Sequence, residues 1–245
     1  MVRAMAFNRQ ALTAMVIAGA VALLASTPAV AQVIVLKSTV RGLVAGQVVQ
    51  DSTRIAIPAG GTVTVVLPSG ATRTVDGPFA GRAAELTRGV RRDPGLFDAI
   101  ASYVRSGGST SSTVGALRSF VPRRTFSWRE VAIEKEGDVC VEQGAPLTLT
   151  RRTIRQPLDV TVVDLNSTQR GRVSFAAGEN SAPWPAEPGP RTGSFAILAP
   201  GRAMKQIRLR LIASLPAPED TLQVLHRRKC VGQFNAYIEA LKTGG

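Results

Sequence analysis

The chain has 245 residues, 44% of them hydrophobic, and 30 Lys and Arg against 17 Asp and Glu give a formal net charge of +13. This hydrophobic share excludes a disordered chain, and the length suits one or two domains with modest cores. A single histidine and two cysteines exclude a metal centre built on clustered nitrogen and sulfur ligands, and no cofactor motif is present.

Arg3 and Arg9 open the chain, and residues 11–25 then carry no ionisable side chain and are mostly Ala, Val, Leu, Ile and Met. Pro28 and Ala29-Val30-Ala31 follow. A basic start, a short apolar stretch and small residues before a cut are what a signal peptidase reads, so residues 1–31 are expected to be a signal peptide removed after Ala31. The apolar stretch is shorter than the ~20 residues that span a bilayer, and no later segment approaches that length. A soluble periplasmic protein, with no transmembrane segment after cleavage, is therefore expected. Cleavage removes two basic residues and no acidic one, so the positive surplus survives. Outside the cytoplasm nucleic acid is not an expected partner. The expected partner is an envelope protein or an anionic envelope component, such as lipid head groups, lipopolysaccharide phosphates or peptidoglycan carboxylates.

Residues 32–82 read as a small β-module. Short apolar runs at 33–36, 48–49, 55–57, 62–67 and 71–75 alternate with turn signals at Gly46, Pro58-Ala59-Gly60-Gly61, Pro68-Ser69-Gly70 and Asp76-Gly77-Pro78. Thr62, Thr64, Thr72 and Thr74 supply polar alternates. Such spacing predicts an antiparallel meander or small barrel.

The stretches Gly46-Gln47-Val48-Val49, Pro58-Ala59-Gly60-Gly61-Thr62-Val63-Thr64-Val65, Leu67-Pro68-Ser69-Gly70 and Gly77-Pro78-Phe79-Ala80-Gly81, together with Ile55, resemble the glycine-punctuated core of a FecR-like domain over about a fifth of the chain. The resemblance implies a periplasmic β-module of the kind found in envelope signalling and in secreted proteins. FecR-type signalling proteins reach a sigma factor through a cytoplasmic N-terminal segment and a membrane helix, whereas here the N-terminus is expected to be cut away.

Residues 83–118 are expected to hold a helix and then a Ser/Gly-rich linker. Asp93 is a natural N-cap and Pro94 suits the first helical position, while Leu96, Phe97, Ile100, Tyr103 and Val104 share one face, which predicts a helix over 94–105. Residues 106–115, rich in Ser, Thr and Gly, mark the boundary.

Residues 119–245 read as a C-terminal β-sandwich-like domain ending in a helix. Strand-like runs lie at 131–133, 139–141, 147–150, 158–163, 173–175, 195–198 and 206–213. Strict alternation in Gln206-Ile207-Arg208-Leu209-Arg210-Leu211 turns Ile207, Leu209 and Leu211 inward and the arginines to water. Pro183, Pro185, Pro188 and Pro190 predict a long loop over 180–192, pinned to the surface by Trp184. Seven or so strands with an early tryptophan, Trp128, suggest an immunoglobulin-like sandwich, although Trp128 precedes both cysteines instead of lying between them. After Pro218-Glu219-Asp220, the spacing of Leu222, Leu225, Cys230, Phe234, Ile238 and Leu241 predicts a terminal helix whose face carries Cys230.

Cys140 and Cys230 are the only cysteines. In an exported chain an even count points to a disulfide, here stapling the terminal helix to a sheet; the alternative is two separate buried thiols. Possible anion-binding cations are Arg151, Arg152, Arg208, Arg210, Arg227, Arg228 and Lys229, set beside turns, on a strand or on a helix face.

Catalytic constellations are scarce. His226 stands beside Arg227, Arg228 and Lys229, whose charge opposes its protonation, and has no recognisable nucleophile to serve. Ser69 ends a turn and lacks the upstream glycine of a nucleophile elbow. Glu134, Glu136 and Asp138 are the one carboxylate group whose spacing is compatible with glycoside hydrolysis, against the plainer reading of an exposed hairpin end. The expected function is that of a non-enzymatic periplasmic binding or scaffolding module. The rivals are a sensor component of a signalling complex and an enzyme acting on the cell wall.

Overall fold

A computed structural model describes residues 32–106 and 126–243. The expected signal peptide and most of the expected linker lie outside the described residues.

The chain is mainly β. The N-terminal half contains β1 (Gln32–Ser38), β2 (Val48–Gln50), β3 (Arg54–Ile57), β4 (Thr62–Val66), β5 (Thr72–Asp76) and β6 (Phe79–Arg82), followed by the helices α1 (Ala83–Thr87) and α2 (Pro94–Arg105). A four-stranded sheet in the order β2-β1-β4-β5 and a β3-β6 ribbon are both antiparallel. The five expected strands and the 94–105 helix stand where the apolar runs and turn residues put them. Asp93 caps α2 by accepting a hydrogen bond from Leu96 N–H at 3.2 Å. The strand β6 and the short α1 are additions that the apolar pattern did not announce.

Two glycines explain the tightness of the turns. Gly70, between β4 and β5, has φ +82°, and a Cβ there would fall on the side chain of Leu96 in α2. A Cβ on Gly77 would fall on the Pro58 carbonyl, because the β3–β4 and β5–β6 turns lie against each other.

The C-terminal half contains β7 (Glu130–Ala132), β8 (Gly137–Glu142), β9 (Thr148–Thr150), β10 (Leu158–Asp164), β11 (Arg170–Phe175), β12 (Ser181–Pro183), β13 (Gly193–Leu198) and β14 (Lys205–Ile212). These form a five-stranded sheet, β11-β10-β13-β14-β8, facing a three-stranded one, β12-β9-β7. The sandwich-like packing matches expectation, but β14 pairs with β8 and β7 with β9 in parallel, a departure from the antiparallel sheets of the immunoglobulin pattern. The 180–192 segment also differs from the expected loop. Its first residues form β12, and Trp184 is buried in the sandwich core, edge-on to Phe195 at 5.3 Å, with its indole N–H donating to the Pro188 carbonyl.

The terminal helix is two helices. A 3-10 turn at Pro218–Asp220 leads into α3 (Thr221–Arg227), and α4 (Val231–Thr243) follows after a break in which Lys229 takes φ +60°. Cys230 therefore sits in the junction and not on a helix face. It is joined to Cys140 of β8 with a Cα–Cα distance of 5.9 Å.

Three buried clusters stack through the molecule. Side-chain alternation sends Val33 and Val35 of β1 into the N-terminal core and Ile34 and Leu36 into a second core on the opposite face. β8 repeats the device, since Val139 and Val141 face the sandwich interior while Cys140 faces the second core. That middle core is contributed by both halves: Leu96, Phe97 and Ile100 of α2 meet Leu222 and Leu225 of α3 and Phe234 and Ile238 of α4. The expected division at 83–118 thus separates segments of sequence, while the buried side chains cross it. Gln223 Nε2 donates to the Ser69 carbonyl at 2.9 Å, and burial, then the charge of and a hydrogen bond to Glu239 of α4, push the Tyr103 hydroxyl of α2 up to about 12.

Candidate functional site

The cations expected to bind anions divide among four environments. Arg151 is buried, and its guanidinium donates to three backbone carbonyls, Gln156 at 2.6 Å, Ala176 at 2.7 Å and Glu179 at 2.8 Å, while lying over the Phe175 ring at 5.1 Å. Its donors are consumed in tying the β9–β10 connection to the β11–β12 connection, so it is a structural arginine and not an anion ligand. Arg152 is exposed beside it, with its backbone N–H donating to Glu134 at 2.6 Å. Arg227, Arg228 and Lys229 are exposed at the end of α3, where cations complement the helix dipole. Only Arg208 and Arg210 lie on a sheet face, and they are not alone there.

The outer face of the five-stranded sheet follows from strand periodicity. Along β11, Gly171, Val173 and Phe175 are buried, so Arg170, Arg172 and Ser174 point outward. Along β14, Ile207 and Leu209 are buried and Arg208 and Arg210 point outward. Between them the register aligns Val163 of β10 with Arg170 and with Ala196 of β13, and aligns Thr161 with Arg172 and Leu198. An uncharged strip of Thr161, Val163, Ala196 and Leu198 is therefore bordered by Arg170 and Arg172 on the β11 side, and on the β14 side by Gln206, paired with Ala196, with Arg208 one step further along beside Ser194. With strands ~4.8 Å apart, three spacings place the two flanks roughly 14 Å from each other.

The far end of this face is covered. Cys140 and Ile212 project outward from β8 and β14 into the middle core, and Arg210 lies at that margin. Asp138 of β8 is shared between the two β14 arginines, accepting a hydrogen bond from Arg210 Nη2 at 3.2 Å and standing 3.8 Å from Arg208 Nε. Asp138 thus pairs with both, more closely with Arg210, and Arg208, 55% exposed, keeps its remaining donors toward water. Arg170 and Arg172 are exposed and have no carboxylate partner among the described residues. An open depression of about 350 Å³ at the opposite, uncovered end of β8 and β14 is lined by Glu136, Asp138, Ser194, Gln206 and Arg208.

The carboxylate group is held apart by separate partners. Glu134 accepts from Arg152 N–H, Glu136 pairs with Lys205 at 3.3 Å, and Asp138 pairs with the β14 arginines. His226 packs beside the Phe234 ring at 5.9 Å. Asp164, at the opposite end of β10, is a structural anion. Burial pushes its carboxyl up, but the N–H groups of Asn166 and Ser167 and the guanidinium of Arg191 outweigh this and hold it below the usual carboxylate range. Among the described residues no helix is long and apolar enough to cross a membrane, and no cluster of His, Cys, Asp and Glu could hold a metal ion.

Three residues of consequence are not evident from the sequence. Arg170 and Arg172 sit in Arg170-Gly171-Arg172-Val173-Ser174-Phe175, whose alternation is as regular as that of β14, but the glycine disguised the first half of the run. Gln233 of α4 is the other. Its side-chain amide donates to the Cys140 carbonyl and accepts from the Cys140 N–H, both at 2.7 Å, so one side chain occupies the backbone groups on the free edge of β8. Nothing in local sequence reveals a helix glutamine acting as a strand.

No family model matches this chain, and no curated protein matches it.

Proposed function

We propose that this chain is an exported, non-enzymatic protein of the cell envelope, in which a FecR-like β-module and a C-terminal sandwich together form a rigid binding or scaffolding body. The observation that carries this reading is the Cys140–Cys230 bond, buried where the cores of both halves meet. Disulfides of this kind persist in the periplasm and outside the cell, whereas the cytoplasm keeps such cysteines reduced. Binding is favoured over catalysis because the candidate carboxylates are engaged by separate cations and amides, while Arg170 and Arg172, with no carboxylate partner among the described residues, lie on an open sheet face.

Cell fractionation followed by N-terminal sequencing and thiol mass analysis tests the reading. The expected product is a periplasmic protein starting at Gln32 with no reactive thiol. Two free thiols, or a cytoplasmic protein starting at Met1, would overturn export. Release of soluble fragments from purified peptidoglycan would overturn the non-enzymatic assignment.

A further inference from the structure

We infer that the outer face of the five-stranded sheet, with Arg170 and Arg172 on one flank and Arg208 on the other, docks an acidic polypeptide segment. The inference rests on the binding-module reading and names the chemical class of its partner.

Charge and shape select this occupant. Arg170 and Arg172, which have no carboxylate partner among the described residues, and Arg208, which shares Asp138 with Arg210 and is 55% exposed, flank a strip that includes Val163 and Leu198, and Leu198 is 37% exposed. A segment with apolar side chains toward the sheet and carboxylates at its margins complements both features. Arginine suits it because the planar fork pairs with carboxylate in two parallel hydrogen bonds and loses little freedom in doing so.

A second copy of this chain does not fit, because a two-fold contact through this face sets arginines against arginines in a chain of net charge +13. A lipid surface fits less well. Membrane-docking surfaces combine cations with projecting aromatic side chains, whereas the positions on this face hold no aromatic residue and no lysine.

The experiment uses the oxidised mature protein with poly-L-glutamate as the acidic polypeptide and phosphatidylglycerol vesicles as the lipid alternative. Poly-L-glutamate is expected to bind in a salt-sensitive manner and to shift the amide resonances of β10, β11, β13 and β14 in the unmodified protein. The double variant R172S/R208S should weaken binding about tenfold or more, while R227S/R228S, which removes equal charge from the end of α3, should change it less than about twofold. Equal losses in the two variants, or shifts spread over the whole surface, would overturn the inference in favour of a net-charge effect. Vesicle binding that depends on Arg172 and Arg208 without poly-L-glutamate binding would overturn it in favour of a membrane. Either failure leaves the binding-module reading to its own test by export and peptidoglycan assays.

Discussion

The two halves of the molecule hold their shape by different means. The N-terminal half relies on turns so close that a methyl group has no space, with Gly70 against Leu96 and Gly77 against the Pro58 carbonyl. The sandwich has longer connections and holds them with buried polar groups: Arg151 gathers three carbonyls and Asp164 gathers two amides and a guanidinium. The contrast has a simple origin. A tight turn satisfies its own backbone, whereas a long loop drawn against a core carries carbonyls inward that need a donor. Between the two halves lies a helical layer whose buried side chains come from both.

The sharpest test of that shared layer is the disulfide. It closes a loop of 90 residues in sequence separation, and a loop of this length is worth about 4 to 5 kcal/mol in the chain-entropy account. Replacing both cysteines by alanine should lower the free energy of unfolding by about that amount in urea titrations, somewhat more if the vacated space stays open. Tryptophan fluorescence, which reports the sandwich core through Trp184 and the middle core through Trp128, and hydrogen exchange at β1 and β4, which reports the N-terminal sheet, should move together. Separate transitions for the two halves would show that the middle core does not couple them.

A smaller effect isolates the N-terminal half. Gly70→Ala puts a Cβ onto the Leu96 side chain at a positive φ and should destabilise by about 2 to 4 kcal/mol, whereas Gly42→Ala, with positive φ but open space, should lose only about 1 kcal/mol. Similar losses at both sites would mean that the turn is free to move off α2.

The matching test in the sandwich is Arg151→Met, which keeps much of the apolar stem but leaves three inward carbonyls without their donor. A loss of about 2 to 3 kcal/mol is expected from equilibrium unfolding. An unchanged midpoint would show that water replaces the guanidinium and that the loop is more open than its hydrogen bonds imply.

The smallest effect reads the contact between the halves through pH. The Tyr103 hydroxyl is raised from 10.0 to about 12 in the folded chain, so the unfolded chain loses this proton first. The stabilisation is complete below pH 10 and disappears as pH rises toward 12. Tyr103→Phe should flatten this part of the stability profile while leaving neutral-pH stability within about 1 kcal/mol. A profile identical to that of the unmodified protein would remove Tyr103–Glu239 from the coupling between α2 and α4.

Much of the fold was legible because period and punctuation are local properties. The 94–105 helix is announced by Asp93, Pro94 and a one-sided apolar stripe, and β14 by its alternation. The cysteine pairing was limited to one intramolecular partner by count. Other features were not legible because they depend on what lies opposite. Arg151 and Arg152 are adjacent cations of equal standing in sequence, yet one closes a buried loop and the other faces water. Trp184 lies among prolines that suggest a surface loop, and only the facing sheet makes it a core residue. The terminal apolar repeat runs through Cys230 without interruption, although the chain breaks there to bring the sulfur to β8.

By itself the sequence determined the elements, because a strand or helix requires only that its own side chains fall on the right face and its ends meet suitable turn residues. It also determined the basic surplus, since charge is a sum over residues and needs no geometry. The tertiary structure decided which arginines share a face, because the partners of β11 and β14 are brought together by β10 and β13 from different parts of the chain. It also decided that the apolar faces of β1 and α2 are completed by α3 and α4, since an exposed apolar face specifies only that it will be buried, and the shape of the remaining surfaces specifies against what.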